Sequence, residues 1–256
     1  MKRYYISSPQ IWLVPFGCLI ISVVVSISGA SERLFLILNN WLNLIIPFWL
    51  WPHLTNGGDG LVAIALALPF CFKNPRFVLM MMGSGALMSF IPTILKAAIG
   101  APRPLSVIPV DQFTLIGSSY KYDSFPSGHV ATIFWIVALI FLMFNRTSIR
   151  VCVLGIGLIV GVSRIACGVH WLTDIFGGVL LGWVISSGAY LMFINWPRRI
   201  KPVYATILQY LPVLVVLAPI PWYETAYEGT RISYIGFSIV MICFWFWRYV
   251  TESLNK

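Results

Sequence analysis

Apolar residues in this chain come in blocks long enough to cross a lipid bilayer, and charged residues are confined to the short breaks between the blocks. A helix rises about 1.5 Å per residue and the hydrocarbon core is about 30 Å thick, so a run near 20 residues spans it. Runs of this character cover residues 11–29, 58–72, 77–95, 129–145, 151–167, 175–195, 205–221 and 232–249. The predicted fold class is therefore all-α, a polytopic transmembrane helical bundle, with six spans in residues 1–200 and a two-span extension in 201–256. With 59% hydrophobic and 10% charged residues in 256, no room remains for a separate soluble domain. The second run is short and holds Pro69, so its limits are the least defined. The first follows Lys2-Arg3 and closes on Ser28-Gly29-Ala30, the outline of a signal peptide. Its apolar length exceeds the usual core of a cleaved signal, and an uncleaved anchor is expected.

Residues 34–54 are apolar enough to span, yet Asn39, Asn40 and Asn43 fall on one side and Pro47 and Pro52 break the run. They read as an amphipathic helix in the interface, with Trp41, Trp49 and Trp51 at headgroup depth. Charge supports that choice. With a cytoplasmic N-terminus, the inner side then carries Lys2, Arg3, Lys73, Arg76, Arg146, Arg150, Arg198, Arg199, Lys201, Arg248 and Lys256, as the positive-inside bias requires. The net charge of +9 thus sits in clusters between spans, which argues against a nucleic-acid partner. The five cysteines are scattered, never form C-x-x-C, and read as buried thiols.

Polar residues with chemistry recur at three span ends on the outer side: Lys96 with Arg103-Pro104, Pro126-Ser127-Gly128-His129, and Ser163-Arg164 with His170 and Asp174. Lys96 and Arg103 lie two helical turns apart if the third span continues, so both can address one point. Each alone also reads as a basic residue snorkelling to headgroups. Ser127-Gly128 feeding a helix leaves backbone N–H groups pointing outward, a cradle for phosphate oxygens that Gly128 leaves unobstructed. Ser127 can equally be a plain N-cap and His129 a polar interfacial residue. His170 and Asp174 are four apart, on one helix face, so the carboxylate can accept from Nδ1–H and leave Nε2 open. Arg164 offers a planar fork able to grip two phosphate oxygens. Ionisable residues at a membrane edge are costly and are functional candidates by default.

In these three segments the chain resembles the type 2 phosphatidic acid phosphatases, whose signature is K-x6-R-P, P-S-G-H and S-R-x5-H-x3-D, and every fixed position is present. The resemblance implies a membrane lipid phosphatase in which Lys96, Arg103, Ser127, Gly128 and Arg164 hold phosphate. His170, oriented by Asp174, would attack phosphorus, and His129 would serve the leaving oxygen and then water. It implies no metal and no cofactor. The partners are the bilayer and a membrane lipid phosphate: polyprenyl diphosphate, phosphatidic acid, phosphatidylglycerol phosphate or phosphorylated lipid A. The expected location is a bacterial inner membrane with the site facing the periplasm or exterior. A lipid phosphotransferase using the same phosphohistidine is the enzymatic alternative. A transporter or scaffold is the other, although few ionisable residues outside the signature are there to line an ion path. The loop from Trp222 to Arg231, with Glu224 and Glu228, lies outside and could border the site, although a plain solvated loop is the first reading, and residues 203–256 lie beyond what the resemblance covers.

Overall fold

The computed structural model describes residues 8–117, 120–194, 200–225 and 227–254. Lys2, Arg3, Arg198, Arg199 and Lys256, which enter the charge argument, lie outside the described residues. Among the described residues the regular structure is helical: α1 Ser8–Ile27, α2 Ser31–Ile45, α3 Leu50–Thr55, α4 Gly60–Cys71, α5 Pro75–Ile99, α6 Pro104–Val107, α7 Gly128–Met143, α8 Thr147–Ala166, α9 Leu172–Ile194, α10 Pro202–Leu217 and α11 Arg231–Leu254. Each of the eight apolar runs is a helix. Of these, α5, α8, α9 and α11 are singly long and apolar enough to cross a membrane. The α1–α2 pair is bent by 109° and the pair ending in α4 by 67°. The protein is an integral membrane protein.

Local chemistry sets several ends. Asp59 accepts from Leu61 N to open α4, and Asn74 accepts from Phe77 N to open α5, where Pro75 suits the first turn. Gly100, left-handed at φ 59°, stops α5. The centre of the bundle is α7, mostly apolar and buried without a break from Ile133 to Ile140. It packs closely on α9 because Gly182 brings no side chain to the crossing, where a Cβ would stand 2.4 Å from Ala131 O. Trp135 Nε1 donates to Ser84 of α5 at 2.7 Å, and Trp183 Nε1 donates to Ile11 O of α1 at 2.8 Å. Both indoles thereby satisfy their one donor inside the apolar core.

Two expectations need correction. The asparagines of α2 do not form a solvated polar face. Asn39 is fully buried, and its Nδ2 donates to Thr114 O, Ile165 O and Ala166 O at 3.0, 2.9 and 3.1 Å. Its Oδ1 accepts from Thr114 N at 2.8 Å. The last carbonyls of a helix lack intrahelical donors, and Asn39 supplies them for α8. Only Asn40 faces outward; Trp41 and Trp49 are exposed, whereas Trp51 is buried. The thiols also differ from expectation: Cys18, Cys71 and Cys167 are buried, but Cys152 and Cys243 are exposed, and all five are free. At the far side, α10 and α11 pack on α4 through a small second core of Ala65, Leu68, Phe72, Val216 and Trp245.

Candidate active site

The signature residues converge where α5 and α8 end and α7 and α9 begin. Helix α5 does not continue to Arg103, because Gly100 breaks it. The chain runs on to Arg103, which is extended at φ −87°, ψ 164° and caps α6. The two cations meet through a shared acceptor instead. Lys96 Nζ donates to Asp123 O, and Arg103 Nη2 reaches the same oxygen at 3.4 Å. Arg103 also donates from Nε to Tyr122 O at 2.9 Å and from Nη1 to Val169 O at 3.4 Å. Carbonyls of the 105–125 loop thus aim both cations. Beside them, a Cβ on Gly128 would lie 4.0 Å from Lys96 Cε, so the opening of α7 faces the lysine stem.

Ser127 is the N-cap residue of α7, yet its side chain makes no capping bond; Oγ is buried and has no partner among the described residues. Its backbone N–H donates to Asp174 O at 3.1 Å, which ties the second segment to the third. His129 follows in the first turn of α7. The backbone of Gly58 lies against it so closely that a Cβ there would stand 2.6 Å from His129 Cβ.

His170 and Asp174 do not share a helix. His170 lies in the turn before α9, and Asp174 in that helix's first turn. The turn needs Gly168 at φ 76°, where a Cβ would also sit 2.3 Å from Thr114 O. Asp174 Oδ2 then accepts from His170 Nδ1 at 3.2 Å, Trp171 N at 2.8 Å and Ser124 Oγ at 2.5 Å. This fixes the ring and leaves Nε2 directed away from the carboxylate. Burial first, then Arg164, Arg103 and Lys96, hold the His170 imidazole well below the ordinary histidine range. At neutral pH the ring is uncharged and its Nε2 lone pair is present.

Arg164 closes the site from the last turn of α8. It is 5% exposed, and its Nη1 donates to Thr55 Oγ1 at 2.9 Å and Tyr227 Oη at 2.7 Å. Its Nε is buried without a partner among the described residues. The loop expected to be solvated therefore borders the site: Tyr227 is buried and touches Arg164, while Glu224 and Glu228 remain exposed. Ser124, Thr55 and Tyr227 are the contacts sequence reasoning missed, and no local pattern marked them. His53, by contrast, pairs through Nδ1 with Ser233 Oγ at 2.6 Å. Among the described residues no three of His, Cys, Asp and Glu gather as metal ligands would.

The profile of the PAP2 superfamily matches residues 76–218, more than half of the chain and all three signature segments. The chain belongs to the PAP2 superfamily. It is 31% identical over 94 residues to the lipid A 1-phosphatase of Rhizobium etli, which covers 36% of this chain and 40% of that protein. It is 37% identical over 71 residues to a putative undecaprenyl-diphosphatase, YbjG, of Escherichia coli, covering 28% and 35% respectively. The matches thus span less than half the length of these curated relatives. Among solved structures, LpxE of Aquifex aeolicus aligns with a TM-score of 0.50 at 26% identity, over 63% of this chain and 94% of that one. The phosphatidylglycerolphosphate phosphatase of Bacillus subtilis shares the fold with a TM-score of 0.52 at 22% identity, over 75% and 98%. The family match runs through α10, past residue 200, where the six-span core was expected to end.

Proposed function

We infer that this chain is a membrane lipid phosphatase that removes phosphate from a lipid phosphate or diphosphate through a phosphohistidine at His170. The observation carrying this reading is the pair of orphaned donors, Ser127 Oγ and Arg164 Nε, buried in the same site as an uncharged, carboxylate-anchored imidazole. A buried donor without an acceptor costs about 1–3 kcal/mol, more for a charged group, and phosphate oxygens would relieve both. Lys96, Arg103 and Arg164 supply the positive charge that offsets the phosphoryl group as charge shifts between its oxygens.

The reaction follows from these positions. His170 Nε2 gives its lone pair to phosphorus in line, forming P–N as the bond from phosphorus to the lipid oxygen breaks. A bound phosphate dianion offsets the three cations and lets His129 carry a proton, which it gives to that leaving oxygen before taking one from water. The resulting hydroxide attacks phosphorus, the P–N bond breaks towards nitrogen, and inorganic phosphate leaves. Placement at helix ends puts the reacting phosphate at headgroup depth, which suits a substrate whose chains stay in the bilayer.

The substrates to test are polyprenyl diphosphate, phosphatidic acid, phosphatidylglycerol phosphate and phosphorylated lipid A. Purified protein in detergent is expected to release inorganic phosphate from at least one of them, with or without an added lipid hydroxyl acceptor. Release from none would overturn the reading. Phosphate recovered only on the acceptor would make the chain a phosphotransferase.

Orientation rests on charge. Lys73, Arg76, Arg146, Arg150, Lys201 and Arg248 lie near helix ends opposite the site, which the positive-inside bias assigns to the cytoplasm. The site would then face the exterior or periplasm, as in a bacterial inner membrane. With exposed Cys152 and Cys243 replaced, Lys121→Cys is expected to react with an impermeant thiol reagent added outside cells, and Ser148→Cys to stay unlabelled. The reverse pattern would put the site in the cytoplasm.

A further inference from the structure

The loop between α10 and α11 is held in place at several points. Tyr223 Oη donates to Asp59 Oδ2 at the head of α4. Thr225 Oγ1 and Thr230 Oγ1 both donate to Tyr227 O at 2.8 Å, fixing the backbone that carries the tyrosine. The Tyr227 ring lies on Gly117, where a Cβ would stand 2.3 Å from Tyr227 Cε1. The hydroxyl arrives at one nitrogen of Arg164, and Thr55, at the end of α3, arrives at the same nitrogen. A guanidinium has two edges that can meet an oxyanion side-on. Here Nη1 is occupied twice while Nε is left open, so the edge formed by Nε and Nη2 is the one available to a bidentate ligand.

We propose that Tyr227 is a positioning residue for the phosphate site: with Thr55 it clamps Nη1 of Arg164 so that the Nε–Nη2 edge faces the phosphoryl group. The two C-terminal helices then belong to the catalytic unit, because they present the loop that sets this edge. The proposal rests on the phosphate-site reading above. Burial raises the Tyr227 phenol above its ordinary range, so it meets Arg164 as a neutral hydroxyl accepting a hydrogen bond. It therefore orients the guanidinium without neutralising the charge that the phosphate requires.

The test uses the full-length protein in detergent and two measurements, the dissociation constant of orthovanadate and the rate of phosphate release. Tyr227→Phe keeps the ring on Gly117 and removes only the hydroxyl. Its vanadate affinity is expected to fall about tenfold, the scale of one hydrogen bond to a charged group. Tyr223→Phe, which unties the same loop from Asp59 without touching Arg164, is expected to bind vanadate as the parent does. On an Arg164→Ala background, Tyr227→Phe is expected to cause no further loss. Unchanged affinity in Tyr227→Phe, an equal loss in Tyr223→Phe, or an additive loss on the Arg164→Ala background would each overturn the proposal. A parent that binds vanadate but releases no phosphate would count against the hydrolase reading alone, and the clamp would still be judged by vanadate.

Discussion

Replacing His170 by alanine is expected to lower the turnover of a lipid phosphate by about 10⁴-fold or more, the scale seen when a covalent nucleophile is removed. The imidazole is 1% exposed, its Nδ1 is engaged by Asp174, and burial first, then Arg164, Arg103 and Lys96, favours its uncharged form. No other described side chain offers a nucleophilic nitrogen held in this way by a carboxylate. Ser127, whose hydroxyl is orphaned, has no adjacent base hydrogen-bonded to it and is assigned to binding. Initial rates of phosphate release from parent and variant measure the loss. A variant within tenfold of the parent would remove His170 from the chemistry.

The second large effect belongs to His129, and it depends on the leaving group. With a lipid alkoxide, which must be protonated as it departs, His129→Ala is expected to reduce turnover by about 10²–10⁴-fold. With an activated aryl phosphate the first step needs little protonation and partly recovers, while water activation is still missing. Phosphoenzyme is then expected to accumulate, visible as a burst of aryl alcohol followed by a slow steady state. Equal losses on both substrates, with no burst, would contradict the assignment of His129 to the leaving oxygen.

Much of the site was legible because its parts are short motifs at span ends. The eight runs of apolar residues locate the helices, and the polar residues between them locate the helix ends where the site gathers. What the sequence misjudged is how neighbours reach one another. Lys96 and Arg103 could address one point along a helix only if the third span continued, yet Gly100 ends α5 and the pair converges on Asp123 O instead. His170 and Asp174 were expected on one helical face, yet the histidine precedes α9 and reaches the carboxylate across a turn shaped by Gly168. Contacts from distant segments were not legible at all. Thr55 and Tyr227 meet Arg164 across 109 and 63 residues, and Ser124 meets Asp174 across 50. Periodicity reports which face of a helix is apolar, not which loop returns to it. Asn39 is the instructive case: a polar residue in an apolar run was read as part of the polar side of an interfacial helix, whereas it pairs with the last carbonyls of α8.

The central claim is a covalent phosphate on His170. The most direct measurement incubates purified protein with lipid phosphate labelled at phosphorus, quenches in alkali to preserve phosphohistidine, and maps the label by peptide. The predicted result is an acid-labile label on the peptide containing His170, increased in His129→Ala with an aryl phosphate and absent in His170→Ala. Label on the His129 peptide, or on His170→Ala protein, would contradict the account.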